Sequence, residues 1–218
     1  MHLDQFGVLE YRIRKLEIIQ EIIVDARACS SVYAKAGLTR GIFERRLEED
    51  VAQASLPAFL LLIARHHRQD FRILQRTKQY LLNEENLVIL QDRISATEKL
   101  RDGALRNAES LAASEPSDSE ALRIYNSIKK SSSIESIAKA VYPAETFSRF
   151  YADYAALSPF VHGGNRETLV VTKTHGDHSP QMLSVLKNIL DHASEQTQSA
   201  LAFLRTIYTD QQKQKEST

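Results

Sequence analysis

The sequence predicts an all-α protein, a bundle of seven or eight helices with at most one short β-like arm near residues 167–175. Three observations carry this expectation. Glycine and proline number only 7 and 5 in 218 residues, and much of the remainder is Leu, Ile, Ala, Glu, Lys, Arg and Gln, a mixture that favours helices. Apolar residues return at steps of three and four, as they do along one face of a helix. Only "ETLVVTKTH", residues 167–175, is rich in β-branched residues. It reads as an extended crossing or a short hairpin arm.

The elements follow in order. Leu9, Ile13, Leu16, Ile19 and Ile23 mark an amphipathic helix over about residues 3–36, with Gly37 as its stop. A second helix covers about 39–55. Pro57 opens a third, where its missing N–H costs least, and this one reaches about residue 82. From Asn83 the segment "NLVILQDRISATEKLRDGALRNAESL" continues helical, with Ser95 as a cap inside it. "AASEPSDSE", residues 112–120, is small, polar and acidic and predicts a loop, with Asp118 marking the next helix start. "ALRIYNSIKK" and "IESIAKAVY" are short helices parted by "SSS". Pro143 begins the helix that carries the most distinctive motif. Ser179 and Pro180 make a cap and first-turn pair for a final long helix to about residue 209. Residues 1–210 are expected to form a single helical domain and 211–218 a disordered tail.

Composition narrows the function classes. The 28 basic and 28 acidic residues cancel, which argues against wholesale electrostatic binding of nucleic acid or of an anionic membrane but leaves room for a local stripe. Cys29 is the one cysteine. It has no partner for an internal disulfide and reads as a small buried apolar side chain. "MHLDQFGVLEYRIRK" lacks the apolar core of a signal peptide, and "LPAFLLLIA" is too short to span a bilayer. The expectation is a cytoplasmic protein that does not engage membranes. No phosphate loop, dinucleotide fingerprint, nucleophile elbow or His-Glu-x-x-His string occurs, so neither a cofactor nor a metal is expected. "HGDH" sets His175, Asp177 and His178 close together, between His162 and His192. The spacing lacks the anchor of a regular metal site, and a His-rich surface turn is the plainer reading.

The stretch "YADYAALSPFVHGGNRE", residues 151–167, carries the candidate chemistry. On a helical wheel Ser158 lies about −20° from Tyr151, His162 about +20° and Tyr154 about −60°. Phenol, hydroxyl and imidazole then share a face. His162 could act as acid or base, with Tyr151, Tyr154 and Ser158 orienting it or holding an anion. Pro159 complicates the picture, because it must kink the helix or make it end and restart with Ser158 as cap. Gly163 and Gly164 then stop it. The competing reading has Tyr151 and Tyr154 filling a core, Ser158 capping and His162 bonding a carbonyl.

Tyr154, Leu157, Ser158 and His162 form a Tyr-x-x-Leu-Ser-x-x-x-His string. It resembles one found in an uncharacterised bacterial family of helical proteins. "FRILQRTKQYLL", residues 71–82, is similar to that family's arginine-bearing helix, although Lys78 and Gln79 stand where the family carries an acid. The resemblance implies kinship with bacterial helical-bundle effectors, some of them ribonucleases. Those enzymes place Arg and His about one helical turn apart. Here Arg149 and His162 fall about 140° apart on a wheel, and Gly163 and Gly164 separate His162 from Arg166.

One further cluster merits a role. Arg65, Arg68, Arg72 and Arg76 lie within about 80° of one another on the third helix, opposite Leu60, Ile63, His67, Phe71, Leu74 and Leu81. The stripe could clamp a phosphate. It could equally be a solvated face, or pair with Glu44, Glu48, Glu49 and Asp50. His67, on the apolar side, reads as a bonded core histidine.

Two functions are therefore expected. The first is an interaction or scaffold module of a bacterial defence or stress system, acting on a protein partner or on a second copy of itself as a homodimer. The alternative is a helical-bundle ribonuclease or nucleotide-handling enzyme. It would use His162 as acid/base, Tyr151, Tyr154 and Ser158 as orienting groups, and Arg65, Arg68, Arg72, Arg76 and Arg166 as the anion clamp. Nucleic acid would then be met through the arginine stripe.

Overall fold

A computed structural model describes residues 5–30, 32–78, 80, 84–161 and 179–216. Among them are eight helices and no strand, as an all-α bundle requires. They are α1 (Gln5–Ala28), α2 (Val32–Ala54), α3 (Leu56–Lys78), α4 (Glu84–Ser114), α5 (Glu120–Lys130), α6 (Ile134–Val141), α7 (Ala144–Val161) and α8 (Ser179–Glu216). The stretch 167–175, where a β-like arm was expected, lies outside the described residues.

Several boundaries differ from the sequence reading, each for a local reason. Gly37 does not stop the first helix. α1 ends at Ala28, Cys29 and Ser30 are non-helical, and α2 runs through both Gly37 and Gly41. A helix tolerates an interior glycine at a cost of about 1 kcal/mol, and the space around Gly37 is open. At the true end, the Cys29 N–H donates to the Asp25 carbonyl at 3.0 Å. Lys35 Nζ reaches the Arg27 carbonyl at 3.4 Å, bringing a cation to a helix C-terminus, where the dipole favours it. Ser95 caps nothing and lies inside the unbroken α4. The α5 cap is Ser119 rather than Asp118. Its backbone is extended at φ −68° and ψ 142°, and its Oγ accepts the Leu122 N–H at 3.1 Å. The α7 backbone stays helical through Pro159 to Val161, so no restart occurs at Ser158. α8 remains helical past residue 209, to Glu216.

Contacts gather the described residues into two compact units, one within Glu48–Val141 and the other within Asp4–Leu47 and Tyr142–Thr218. In the first, Pro57–Ala64 of α3 is buried at every position. A helix that is apolar all round must be covered from more than one side, and both α4 and α5 pack on α3. α4 offers buried Ala104, Ala108 and Ala112 at four-residue steps, small side chains that let helix axes approach closely. α5 contributes Ile124, Tyr125 and Ile128, and α6 contributes Ile137, Ala138 and Ala140. The buried Ser55 Oγ accepts the Ala58 N–H at 3.3 Å and donates to the Ala121 carbonyl at 2.7 Å. One hydroxyl thus caps α3 and ties it to α5.

In the second unit α1 packs along α8. Leu9, Leu16, Ile19, Ile23 and Ala26 meet Leu190, Leu201 and Leu204, with Ile42 of α2 closing the core. The pair is antiparallel. Arg27 bonds Asp191 at 2.7 Å, while Arg205 bonds Glu17 at 2.8 Å near the other end. Gln20 Nε2 donates to the Ser194 carbonyl between them at 3.2 Å. Each large aliphatic side chain taken from water here contributes roughly 1.5–3 kcal/mol.

Candidate functional site

Tyr154 and Leu157 stand three apart on α7, so both face the same way. Leu157 is buried with Ala36 of α2 and Leu186 of α8, and Phe43 packs against them. Tyr154 is 7% exposed, and its phenol meets two side chains of α2. Arg40 donates to the Tyr154 oxygen through Nε at 3.0 Å and Nη2 at 2.6 Å. The Tyr154 hydroxyl donates to Glu44 Oε1 at 2.8 Å. Arg40 Nε also lies 3.2 Å from the same carboxylate oxygen, closing a triangle. The guanidinium carbon lies 4.7 Å from the Tyr154 ring centroid.

Rings extend this contact along α7. Phe150 stacks on Tyr154 at 6.1 Å and meets Phe43 edge-on at 5.5 Å. Tyr142 tilts against Phe150 at 5.2 Å. Tyr151 is half-buried and stacks on Phe147 at 5.5 Å. The two tyrosines that share a sector of the wheel therefore differ in their contacts: Tyr154 meets Arg40 and Glu44 of α2, while Tyr151 stacks on Phe147 of its own helix.

Burial raises the Tyr154 pKa above its ordinary value. The bond to Glu44 and its negative charge push the same way, while Arg40 opposes them. A phenol held protonated at neutral pH is no general base. It donates a hydrogen bond to Glu44, and its oxygen accepts from Arg40. Chemically the triangle is a clamp in which a charge-assisted set of bonds fixes α7 on α2.

The remaining predicted residues sort as follows. The Ser158 backbone belongs to α7; its side chain lies outside the described residues, as do His162, Arg166, His175, Asp177 and His178. On α3, Arg65 leaves the stripe and donates through Nη2 to the Lys129 carbonyl at 3.2 Å, at the C-terminus of α5. Burial lowers its pKa, and its Nη1 is buried without a hydrogen bond among the described residues. Arg68, Arg72 and Arg76 are exposed. Glu48 lies 3.1 Å from His66, and Glu44 is taken up by Arg40 and Tyr154. His67 Nδ1 lies 4.0 Å from Asp70. Among the described residues no group of three or more His, Cys, Asp or Glu side chains is placed to hold a metal. No helix among them is long and apolar enough to cross a membrane.

Arg40 is not singled out by the sequence, and Glu44 stands there only as a possible partner of the arginine stripe rather than of Tyr154. Their i,i+4 spacing is the usual surface-pair pattern, and Tyr154 lies 114 residues from Arg40. Comparisons with known proteins return no match: no family model, no curated relative and no solved structure resembles the chain at a significant level.

Proposed function

We propose that this chain is a helical interaction module that works by presenting a surface to another protein. The supporting observation is the state of Tyr154. It is one of the three motif residues expected to orient His162, and it is buried with its hydroxyl donating to Glu44 and accepting from Arg40, both on α2. A side chain spent on holding two helices together has little left for substrate. The setting, a bacterial defence or stress system, rests on the resemblance of the Tyr154–His162 string alone. The reading that competes with it is a ribonuclease or nucleotide-handling enzyme.

The deciding experiment is an RNA-cleavage and nucleotide-hydrolysis assay of the wild-type chain beside His162→Ala. The module requires no turnover that depends on His162. Turnover by the wild type that is lost in His162→Ala would replace this reading with the enzyme.

A further inference from the structure

We infer that the tip of the α3–α4 hairpin is a self-complementary docking surface for a second copy of this chain. This rests on the interaction-module reading and names its partner. The helices are consecutive, joined by residues 79–83, and packed on one another, so they run antiparallel. α5 covers α3 only part of the way. Its last turn meets α3 at Arg65, through the Lys129 carbonyl, and α3 continues for more than three further turns. Beyond that point, on α3 and on the opposed start of α4, the described side chains are exposed or half-buried apart from Leu90 and Ile94.

This projecting tip is not polar throughout. Ile73, Val88 and Ile89 are 53%, 59% and 55% exposed and Tyr80 is 79% exposed, with Phe71, Leu74 and Leu87 half-buried beside them. Two helices alone shelter only the stripe between them, and large aliphatic side chains gathered on one projection mark a contact surface.

Charge identifies the occupant. Within α3, residues 66–78 carry Arg68, Arg72, Arg76 and Lys78 against Asp70 alone. Within α4, residues 84–93 carry Glu84, Glu85 and Asp92 against Arg93 alone. One helix of the tip is basic and the other acidic. A twofold axis sets the α3 of one copy against the α4 of the other, twice over, as an isologous interface requires. Basic then meets acidic at both contacts, Ile73 meets the Val88–Ile89 pair, and four helices enclose what two left open. A nucleic-acid backbone fits less well, because the second helix of the tip carries net negative charge, which repels phosphate.

The test measures the mass of the full chain by light scattering across a concentration series, with circular dichroism to confirm helix content. The wild type is expected to dimerise, more weakly as salt screens the charges. Two variants divide the surface: Arg68→Glu with Arg72→Glu and Arg76→Glu, and Glu85→Lys with Asp92→Lys. Each alone should weaken self-association by about tenfold or more. Mixed in equal amounts they should form a heterodimer, because a predominantly acidic tip then faces a predominantly basic one. A wild type monomeric at every concentration overturns the proposal, as do variants that dimerise like wild type or fail to pair when mixed. A monomer that instead binds single-stranded RNA through the arginines makes the tip a nucleic-acid surface. A monomeric wild type without RNA turnover leaves the interaction module standing with a different partner, whereas His162-dependent turnover removes the module whatever the mass.

Discussion

At the scale of single residues, Tyr154 decides most. Its hydroxyl bonds both Arg40 and Glu44. Tyr154→Phe removes the bonds from this hydroxyl while leaving the Arg40–Glu44 contact in place. We expect a loss of about 1–2 kcal/mol in urea unfolding with helix content unchanged. Glu17 supplies a pH dependence. Hydrogen bonds from Arg205 and then Arg14 hold its carboxyl below the ordinary value of 4.5. The folded state therefore binds this proton less readily than the unfolded chain. The stabilisation is complete above that ordinary value and is lost as pH falls through the lowered one. Both partners are substantially solvated, so the effect is modest. Glu17→Gln should flatten the acid limb of stability against pH; a limb unchanged from wild type would show that the α1–α8 ion pair contributes nothing.

At the scale of elements, caps decide boundaries that periodicity leaves open. α5 starts at Ser119, whose side chain takes the Leu122 N–H. Ser119→Ala should cost about 1 kcal/mol, while Asp118→Ala, one residue earlier, should leave the thermal midpoint nearly unmoved. Equal losses from the two would mean that the cap is shared. Most helices were legible from the sequence because their apolar residues recur at helical steps, and Leu9, Leu16, Ile19 and Ile23 are all buried as that pattern demands. The α1–α2 break was not legible. Gly37 carries a strong stop signal in the sequence, yet it lies inside α2. The actual end lies at Cys29 and Ser30, where no single residue marks it. Ser95 misled in the same way, since a hydroxyl can ride on an exposed helix face without ending the helix.

At the scale of the whole molecule, what the sequence could not reveal was pairing. A helical wheel ranks the residues of one helix around its axis but says nothing about which other helix lies opposite. It put Tyr154 on a face with Tyr151 and His162; the residues that meet the phenol, Arg40 and Glu44, are more than a hundred positions away. The arginine stripe was likewise legible as a stripe. That Arg65 departs from it to bond the Lys129 carbonyl depends on where α5 ends. Division into two units also follows from pairing. The Leu47–Glu48 boundary lies inside the continuous α2, where composition shows no linker.

The partnership of α1 with α8 sets a timetable for biogenesis. α1 has its main partner in α8, and all of α2 to α7 must be translated before the two can meet. At synthesis rates of roughly 5–20 residues per second the delay is on the order of ten seconds. For that interval Ile19 and Ile23, fully sequestered in the finished protein, lack their α8 contacts. The nascent chain therefore offers a greasy ridge to holdase chaperones or to neighbouring nascent chains, a hazard that a chain with α1 and α2 mutually paired would avoid.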